Sequence, residues 1–371
     1  MGSIYHLLDE KEAFSERNGG AISRWAANVL REGNEVVICH SSDASWDFPA
    51  ERVYVWPLWS LVGPVHPVIY RLPWTLQNLI YRRVFEPLLE KLSRGDLIYV
   101  HNRPACAAAL APIAAKQGIR VVLHMHNSIL RANRGQIGAL RKVPIVFCSD
   151  FLRKEAEAAL PNHFEEMYVV YNGADPKKFR SNEGSRGSVP TVVFTGRIVP
   201  HKGVHVLLEA MQILENEGVD VRCQVVGGVR FGSSKSNKYT KRLNRMKPGN
   251  TELTGYMVGD SVAELLRRAS VFCCPSIWND PFPLAPLEAM ATGLPVVASN
   301  VGGLPEMFAY GGGLLVPPND PRALANALAR LVKDEPYRAE VSLKARESFS
   351  SHYLWSSVRG QYLGVVQGLQ C

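Results

Sequence analysis

Residues 195–210 read TGRIVPHKGVHVLLEA. The β-branched run Thr191–Thr195 that leads into them has strand composition and stops at Gly196, and a helical pattern begins near Lys202-Gly203. A loop from the C-terminal end of a strand to the N-terminus of a helix offers backbone N–H groups with no partner inside the helix. Arg197 and Lys202 add two cations beside them. By chemistry this is a diphosphate site; a plain helix start with solvated basic side chains is the bland alternative.

Outward from this loop, short β-rich runs alternate with helical ones along almost the whole chain, the pattern of parallel sheets covered by helices. The first half reads as strands near Ile4–Leu8, Glu35–Cys39, Leu97–His101, Arg120–His124 and Ile145–Cys148. Helices are expected near Ala21–Arg31, Gln77–Leu92, Ala105–Gln117 and Phe151–Leu160. The stretch Tyr171–Pro190, rich in Asn, Gly, Ser, Pro and Lys, lacks an apolar period and reads as a linker. Alternation then restarts with Thr191–Thr195, helix His201–Glu217, strand Val221–Val226 ending at Gly227, and helix Asp260–Arg268. It continues with strand Val271–Cys274, helix Ala285–Thr292, strand Pro295–Ala298 and helix Asp320–Val332. Helical stretches Glu335–Phe349 and His352–Gly368 close the chain. The expectation is an α/β protein of two Rossmann-like domains, residues 1–175 and 176–350, with 351–371 forming a last helix that packs back on the first.

A chain of 371 residues suits two such domains, and 46% hydrophobic with 20% charged residues describes a sequence able to fill both cores rather than a disordered one. Lys and Arg exceed Asp and Glu by 42 to 34, giving a net charge of +8 that favours anionic partners. The cysteines at 39, 106, 148, 223, 273, 274 and 371 form no CxxC pair and no zinc-like spacing, so reduced thiols and a cytoplasmic setting are expected. The N-terminus has no signal-type apolar stretch and no segment is apolar enough to span a bilayer, so membrane attachment would be peripheral.

A second motif, residues 276–299, reads SIWNDPFPLAPLEAMATGLPVVAS. A turn at Asp280-Pro281 passes through Phe282, Pro283 and Leu284 into a helix that carries Glu288, eight residues after Asp280. Two carboxylates so placed can face one pocket and accept from the paired hydroxyls of a ribose or hexose. Backbone N–H groups around Phe282–Leu284 would meet anionic oxygen. The alternative is an N-terminal cap followed by a solvated Glu.

Near the N-terminus, Arg17-Asn18-Gly19-Gly20-Ala21 follows the first strand and opens a helix, either as a close-approach loop for phosphate or as an ordinary turn. VVLHMHNSI (121–129) ends a strand with His124 and His126 on one face. Two histidines in this spacing raise the possibility of a metal, but no third ligand is near in sequence. Two basic stretches remain. His66–Arg94 mixes Tyr70, Trp74, Tyr81 and Phe85 with Arg71, Arg82, Arg83, Lys91 and Arg94, as either a membrane-surface helix or a core-facing one. Arg230–Lys247 holds seven basic residues and no acidic one.

These motifs resemble glycosyltransferase family 4, with the GT-B fold. Gly196/Arg197/Lys202-Gly203 resembles its phosphate signature, and Asp280…Glu288 its E-x7-E element with Asp at the first acid. VVYNGADPKKF (169–179), VGGLPEM (301–307) and VPPND (316–320) look like further family segments. The resemblance implies that Arg197 and Lys202 neutralise a donor diphosphate, Glu288 binds the donor ribose, and Asp280 holds sugar hydroxyls. His126 would contact the donor sugar, with Gly19, Gly20, Gly196, Gly203, Gly227, Phe282, Pro283 and Leu284 around the donor. It further implies a retaining, metal-independent transfer from a nucleotide sugar, by default a UDP-sugar, to a saccharide or lipid-linked saccharide. Front-face attack assisted by a donor phosphate oxygen is part of that implication. Nucleic acid is not an expected partner; an anionic membrane surface is a candidate one. SERNGGAISRW (15–25) together with WNDPFPLAPLEAMA (278–291) looks closest to bacterial lipopolysaccharide-core and surface-polysaccharide transferases, including the N-acetylglucosaminyl type. The competing readings are a UDP-sugar epimerase or phosphorylase of the same fold, or a non-catalytic nucleotide-binding relative.

Overall fold

The structure, a computed structural model, describes residues 2–9, 12–16, 20–56, 68–180, 189–229, 236–257 and 259–370. It comprises two compact units, Met1–Tyr171 with Val358–Cys371, and Asn172–Ser357.

The first unit is built on seven parallel strands in the order β3-β2-β1-β4-β5-β6-β7. They are β1 (Ile4–Leu7), β2 (Val36–Cys39), β3 (Val53–Val55), β4 (Leu97–His101), β5 (Arg120–Met125), β6 (Ile145–Phe147) and β7 (Met167–Val169). The central strand β4 is buried at all five positions, as expected of a parallel strand covered on both faces. The helix Trp355–Gln370 belongs largely to this unit: Arg359 donates to the carbonyl of Val29, and Arg120 donates to that of Leu369 at 2.9 Å.

The second unit has six parallel strands in the order β10-β9-β8-β11-β12-β13. These are β8 (Thr191–Thr195), β9 (Arg222–Val226), β10 (Thr251–Gly255), β11 (Val271–Cys274), β12 (Val296–Ser299) and β13 (Gly313–Val316). Helices Val204–Asn216 and Pro321–Lys333 press Val206, Leu207, Met211, Leu324 and Leu328 into one apolar core with Val192, Val225 and Val271.

The strands that the sequence pattern does not announce, β3, β7, β10 and β13, are the four edge strands of the two sheets. An edge strand has one covered flank and tolerates polar residues, so it shows no apolar run. Their partly exposed residues bear this out: none of the four is buried along its length. Two further expectations are corrected. The helix expected from His201 starts at Val204, after a separate 3-10 turn at Pro200–Lys202. In the helix Trp74–Leu89, Tyr81 and Phe85 face the core instead of joining a membrane-type surface, because they recur with Gln77, Leu88 and Leu89 on its buried side.

Candidate functional site

In the second unit the site is assembled where strands end. β8 runs into Gly196 and the exposed Arg197, after which Ile198 N–H bonds to the carbonyl of Gly228 beyond β9 at 2.9 Å. A Cβ at Gly227 would collide with the carbonyl of Gly196, so the two loops lie backbone to backbone. The chain then turns through Pro200–Lys202 to Gly203, whose φ of +71° suits glycine and whose missing Cβ leaves room for the carbonyl of Pro275. That contact draws the phosphate-type loop against the segment after β11, and Ile277 N–H bonds to the carbonyl of His201 at 3.0 Å.

The result is an ion pair between Lys202 Nζ and Asp280 Oδ2, with side-chain exposures of 16% and 6%. Ser276 Oγ donates to the same carboxylate oxygen at 3.3 Å. The two sequence motifs therefore meet at a single point. The expectation for Lys202 is a diphosphate and for Asp280 sugar hydroxyls; in the structure each is also the other's partner. Reading Asp280 as a helix cap is also excluded, since the N-cap of Leu284–Ala291 is Pro283, with no side-chain cap.

The VGGLPEM run acquires a role that its composition did not reveal. At Gly302 (φ +60°) a Cβ would press on the backbone of Asp280, and at Gly303 on the carbonyl of Pro281. Gly303 N–H also donates to the carbonyl of Asp280 at 2.8 Å. From the other side Asn172 Nδ2 donates to the carbonyl of Phe282 at 2.8 Å, and the buried Phe282 ring packs on Tyr353, centroids 5.8 Å apart. Glu288 sits buried on the helix that follows. Pro283, Leu284 and Ala285 stay partly exposed at its N-terminus, where backbone N–H groups favour anionic oxygen. A recess of about 120 Å³ opens beside Gly227 and Gly228, floored by Ile198, Leu243 and Leu253 and edged by Ser236, Thr240 and Asn244. Three of these residues belong to the basic helix Lys238–Met246; residues 230–235 of that basic stretch lie outside the described residues.

In the first unit Arg17, Asn18 and Gly19 fall outside the described residues. Gly20 is the N-cap of the helix Ala21–Val29 in an extended conformation. The anion position expected there is taken by the protein's own Glu12: its Oε1 accepts from Ser23 N–H at 2.6 Å, and its carboxylate lies 3.1 Å from where a Cβ at Gly20 would stand. Burial pushes the Glu12 carboxyl up to about 7; the Ser23 N–H opposes this, the charge of Asp9 adds to it, and Gly20 N–H and Arg24 oppose it further.

His126, just past the end of β5, is 8% exposed, while His124 is wholly enclosed with its ring edge-on to Trp25, centroids 5.0 Å apart. The absence of a third histidine in the local sequence is corrected by the fold. β4 brings in His101, and one nitrogen from each of His101, His124 and His126 falls within 4.8 Å of the others. The rings of His124 and His126 lie 4.1 Å apart at 32°, and His101 Nδ1 lies 3.3 Å from His126 Nε2.

Comparison with known proteins follows these two units. The description "Glycosyltransferase Family 4" matches residues 22–178, and "Glycosyl transferases group 1" matches residues 175–348. The chain is 28% identical over 304 residues to spore coat protein SA of Bacillus subtilis, covering 75% of this chain and 79% of that one. It is 32% identical over 232 residues to D-inositol 3-phosphate glycosyltransferase of Corynebacterium urealyticum, covering 58% and 54%. In structure it resembles HepE of Anabaena in complex with UDP and glucose (TM-score 0.75, 20% identity, 98% and 99% covered). It also resembles a sucrose-phosphate synthase from Thermosynechococcus elongatus (TM-score 0.77, 19% identity, 99% of each chain).

Two measurements follow from this geometry. Lys202→Met strands a buried carboxylate and is expected to lower stability by up to about 3 kcal/mol, while Asp280→Asn in the same background recovers most of the loss. Additive losses in chemical denaturation would show that the pair is not coupled. For Glu12, the raised carboxyl means that the folded chain keeps a proton which the unfolded chain releases at its ordinary, lower value. Stability from this group is thus present at low pH and lost as pH rises through about 7. The gain in melting temperature of Glu12→Gln over the parent should be larger at pH 8 than at pH 5, and a gain that is flat or reversed with pH would contradict the assignment.

Proposed function

This chain is a GT-B glycosyltransferase of the group 1 and family 4 kind, and from that premise we propose that it transfers a sugar from a UDP-sugar to a saccharide or lipid-linked saccharide, without a metal ion and with retention of configuration. The observation that carries the reading is the meeting of the Arg197–Lys202 loop with Asp280 at the strand ends of one Rossmann-like unit. In this reading Arg197, Lys202 and the N–H groups at the start of Leu284–Ala291 receive the diphosphate, and Asp280 and Glu288 accept from hydroxyls. The recess beside Gly227 suits a nucleobase, with an apolar floor and backbone groups at its rim. Support for uridine comes from HepE, whose structure was determined with UDP and glucose.

In the proposed reaction the bond from the anomeric carbon to the diphosphate oxygen breaks, its electron pair leaving with UDP. The acceptor oxygen bonds to the same face of the sugar, and its proton passes to a donor phosphate oxygen. The cations stabilise charge that grows on the leaving diphosphate, which is the task a metal performs elsewhere.

Surface-polysaccharide or lipopolysaccharide synthesis is the proposed setting, including the N-acetylglucosaminyl type. A relative named as a putative colanic acid biosynthesis glycosyltransferase in Escherichia coli is 30% identical over 213 residues, 55% of this chain and 52% of that one. No helix among the described residues is long and apolar enough to cross a membrane. A peripheral contact with an anionic membrane is proposed at the start of the helix Trp74–Leu89, where Val68, Tyr70, Leu76 and Leu79 are exposed beside Arg71 and Arg83.

The test is hydrolysis and transfer with UDP-glucose, UDP-N-acetylglucosamine and GDP-mannose, with and without EDTA. Turnover of a UDP-sugar that survives chelation is expected, and strict dependence on Mg²⁺ or Mn²⁺ would overturn the metal-independent reading. Arg197→Ala should lower kcat/KM by about 2–4 kcal/mol of transition-state stabilisation. Unchanged kcat/KM would remove Arg197 from the diphosphate site.

A further inference from the structure

Three histidines meet at the C-terminal ends of two neighbouring central strands of the first unit. His101 is the last residue of β4, His124 lies in β5 and His126 just beyond it. The β4–β5 register sets His101 beside His124, and the His126 ring lies 4.1 Å from that of His124. One nitrogen from each ring falls within 4.8 Å of the others. His101 and His124 are fully enclosed and His126 nearly so.

Buried imidazoles ordinarily satisfy their nitrogens, and these do not. Neither nitrogen of His124 nor Nδ1 of His126 has a hydrogen-bond partner, the Val170 backbone near His124 lying outside bonding geometry. Burial holds all three rings neutral near pH 7, so each keeps one nitrogen lone pair. Three lone pairs are one more than the hydrogens of a single water can meet, whereas a metal ion takes them all.

The spacing agrees. In a tetrahedral site, Zn–N bonds of about 2.0–2.1 Å set neighbouring nitrogens about 3.4 Å apart. His101 Nδ1 and His126 Nε2 stand 3.3 Å apart, a contact that is a hydrogen bond in the metal-free chain. Rotation of the His124 ring closes the remaining gap. With Nδ1 on the ion, the proton of His101 sits on Nε2, where His6 Nδ1 accepts it at 3.1 Å. His6 Nε2 reaches Tyr362 Oη in turn at 2.9 Å. Such backing from behind is what orients a metal-bound imidazole. Imidazole ligands suit zinc and its neighbours, whereas Mg²⁺ and Mn²⁺ prefer oxygen.

We infer that His101, His124 and His126 form a three-histidine site for a zinc-type divalent ion, with water in the fourth position, that clamps the end of β4 to the end of β5. The site lies wholly within the first unit and goes beyond the transfer reaction proposed above, in which no ion takes part. His126 is the one residue shared with the donor-sugar reading, so the test reads metal and stability rather than turnover.

The test uses the full chain, stripped of metal with a chelator, given Zn²⁺ alone and then desalted. About one zinc per chain should remain by elemental analysis, with a melting temperature above that of the stripped chain. His124→Gln and His101→Gln should lose both the ion and the thermal gain while keeping the circular dichroism of the parent. A parent that retains no zinc would overturn the site. Zinc retained undiminished by natively folded variants would do the same, since the ion would then sit on other histidines. If neither variant folds, zinc K-edge X-ray absorption of the loaded parent decides. Three imidazole nitrogens and one oxygen at about 2.0–2.2 Å are expected, and a sulfur ligand or fewer than three imidazoles would overturn the inference.

Discussion

The second unit is organised by a crowding of backbone on backbone around Asp280 and Pro281. Gly302 and Gly303 lie against this turn where no Cβ fits, Gly203 lies against Pro275 in the same way, and the intervening carbonyls and N–H groups bond across the contacts. Buried backbone groups must find partners, and here they find each other only because two separate loops carry glycine. The turn also contains Pro281 and Pro283, whose fixed φ reduces the freedom it loses on folding. A short, stiff and fully bonded loop is what allows a carboxylate to be kept at 4% exposure opposite one lysine.

How much of this was legible in the sequence depended on the range of the interaction. Central strands were legible because burial on both faces writes an apolar run into the chain, as in LIYVH at 97–101 and VFCC at 271–274. Edge strands such as Met167–Val169 were not, because one open flank removes that pattern. Arg197, Lys202, Asp280 and Glu288 were legible as residue types in two local motifs, but the ion pair joining the motifs spans 78 positions and leaves no local trace. The same holds for Glu12, whose carboxylate fills the helix N-terminus that a glycine pair had suggested was open, and for His101, which only the β4–β5 pairing brings beside His124.

The two units bury polar groups by two devices. In the second, charge is kept and matched, with Lys202 against Asp280 and a serine hydroxyl completing the carboxylate. The first also keeps matched pairs such as Arg103 with Asp9, but at His6, His101 and His126 charge is removed. Burial leaves these rings neutral, and the cost of enclosing their nitrogens is offset by hydrogen bonds from ring to ring. A matched pair responds to an incoming ion, because a third charge competes for one of its members.

That difference bears on how a nucleotide sugar would be read in the proposed reaction. Asp280 is held by Ser276 and by the backbone contacts of its turn, whereas Lys202 reaches it on a flexible four-carbon stem. When a diphosphate competes for the pair, the lysine is the member free to move. Its displacement toward phosphate would expose carboxylate oxygen that had been occupied, just where a sugar hydroxyl needs an acceptor. Phosphate binding and sugar binding would then be coupled through one side chain, and a nucleotide lacking its sugar would leave Asp280 buried without a full set of partners. The cost of that unsatisfied carboxylate gives the intact donor an advantage over the free nucleotide that no added contact to the base is needed to supply.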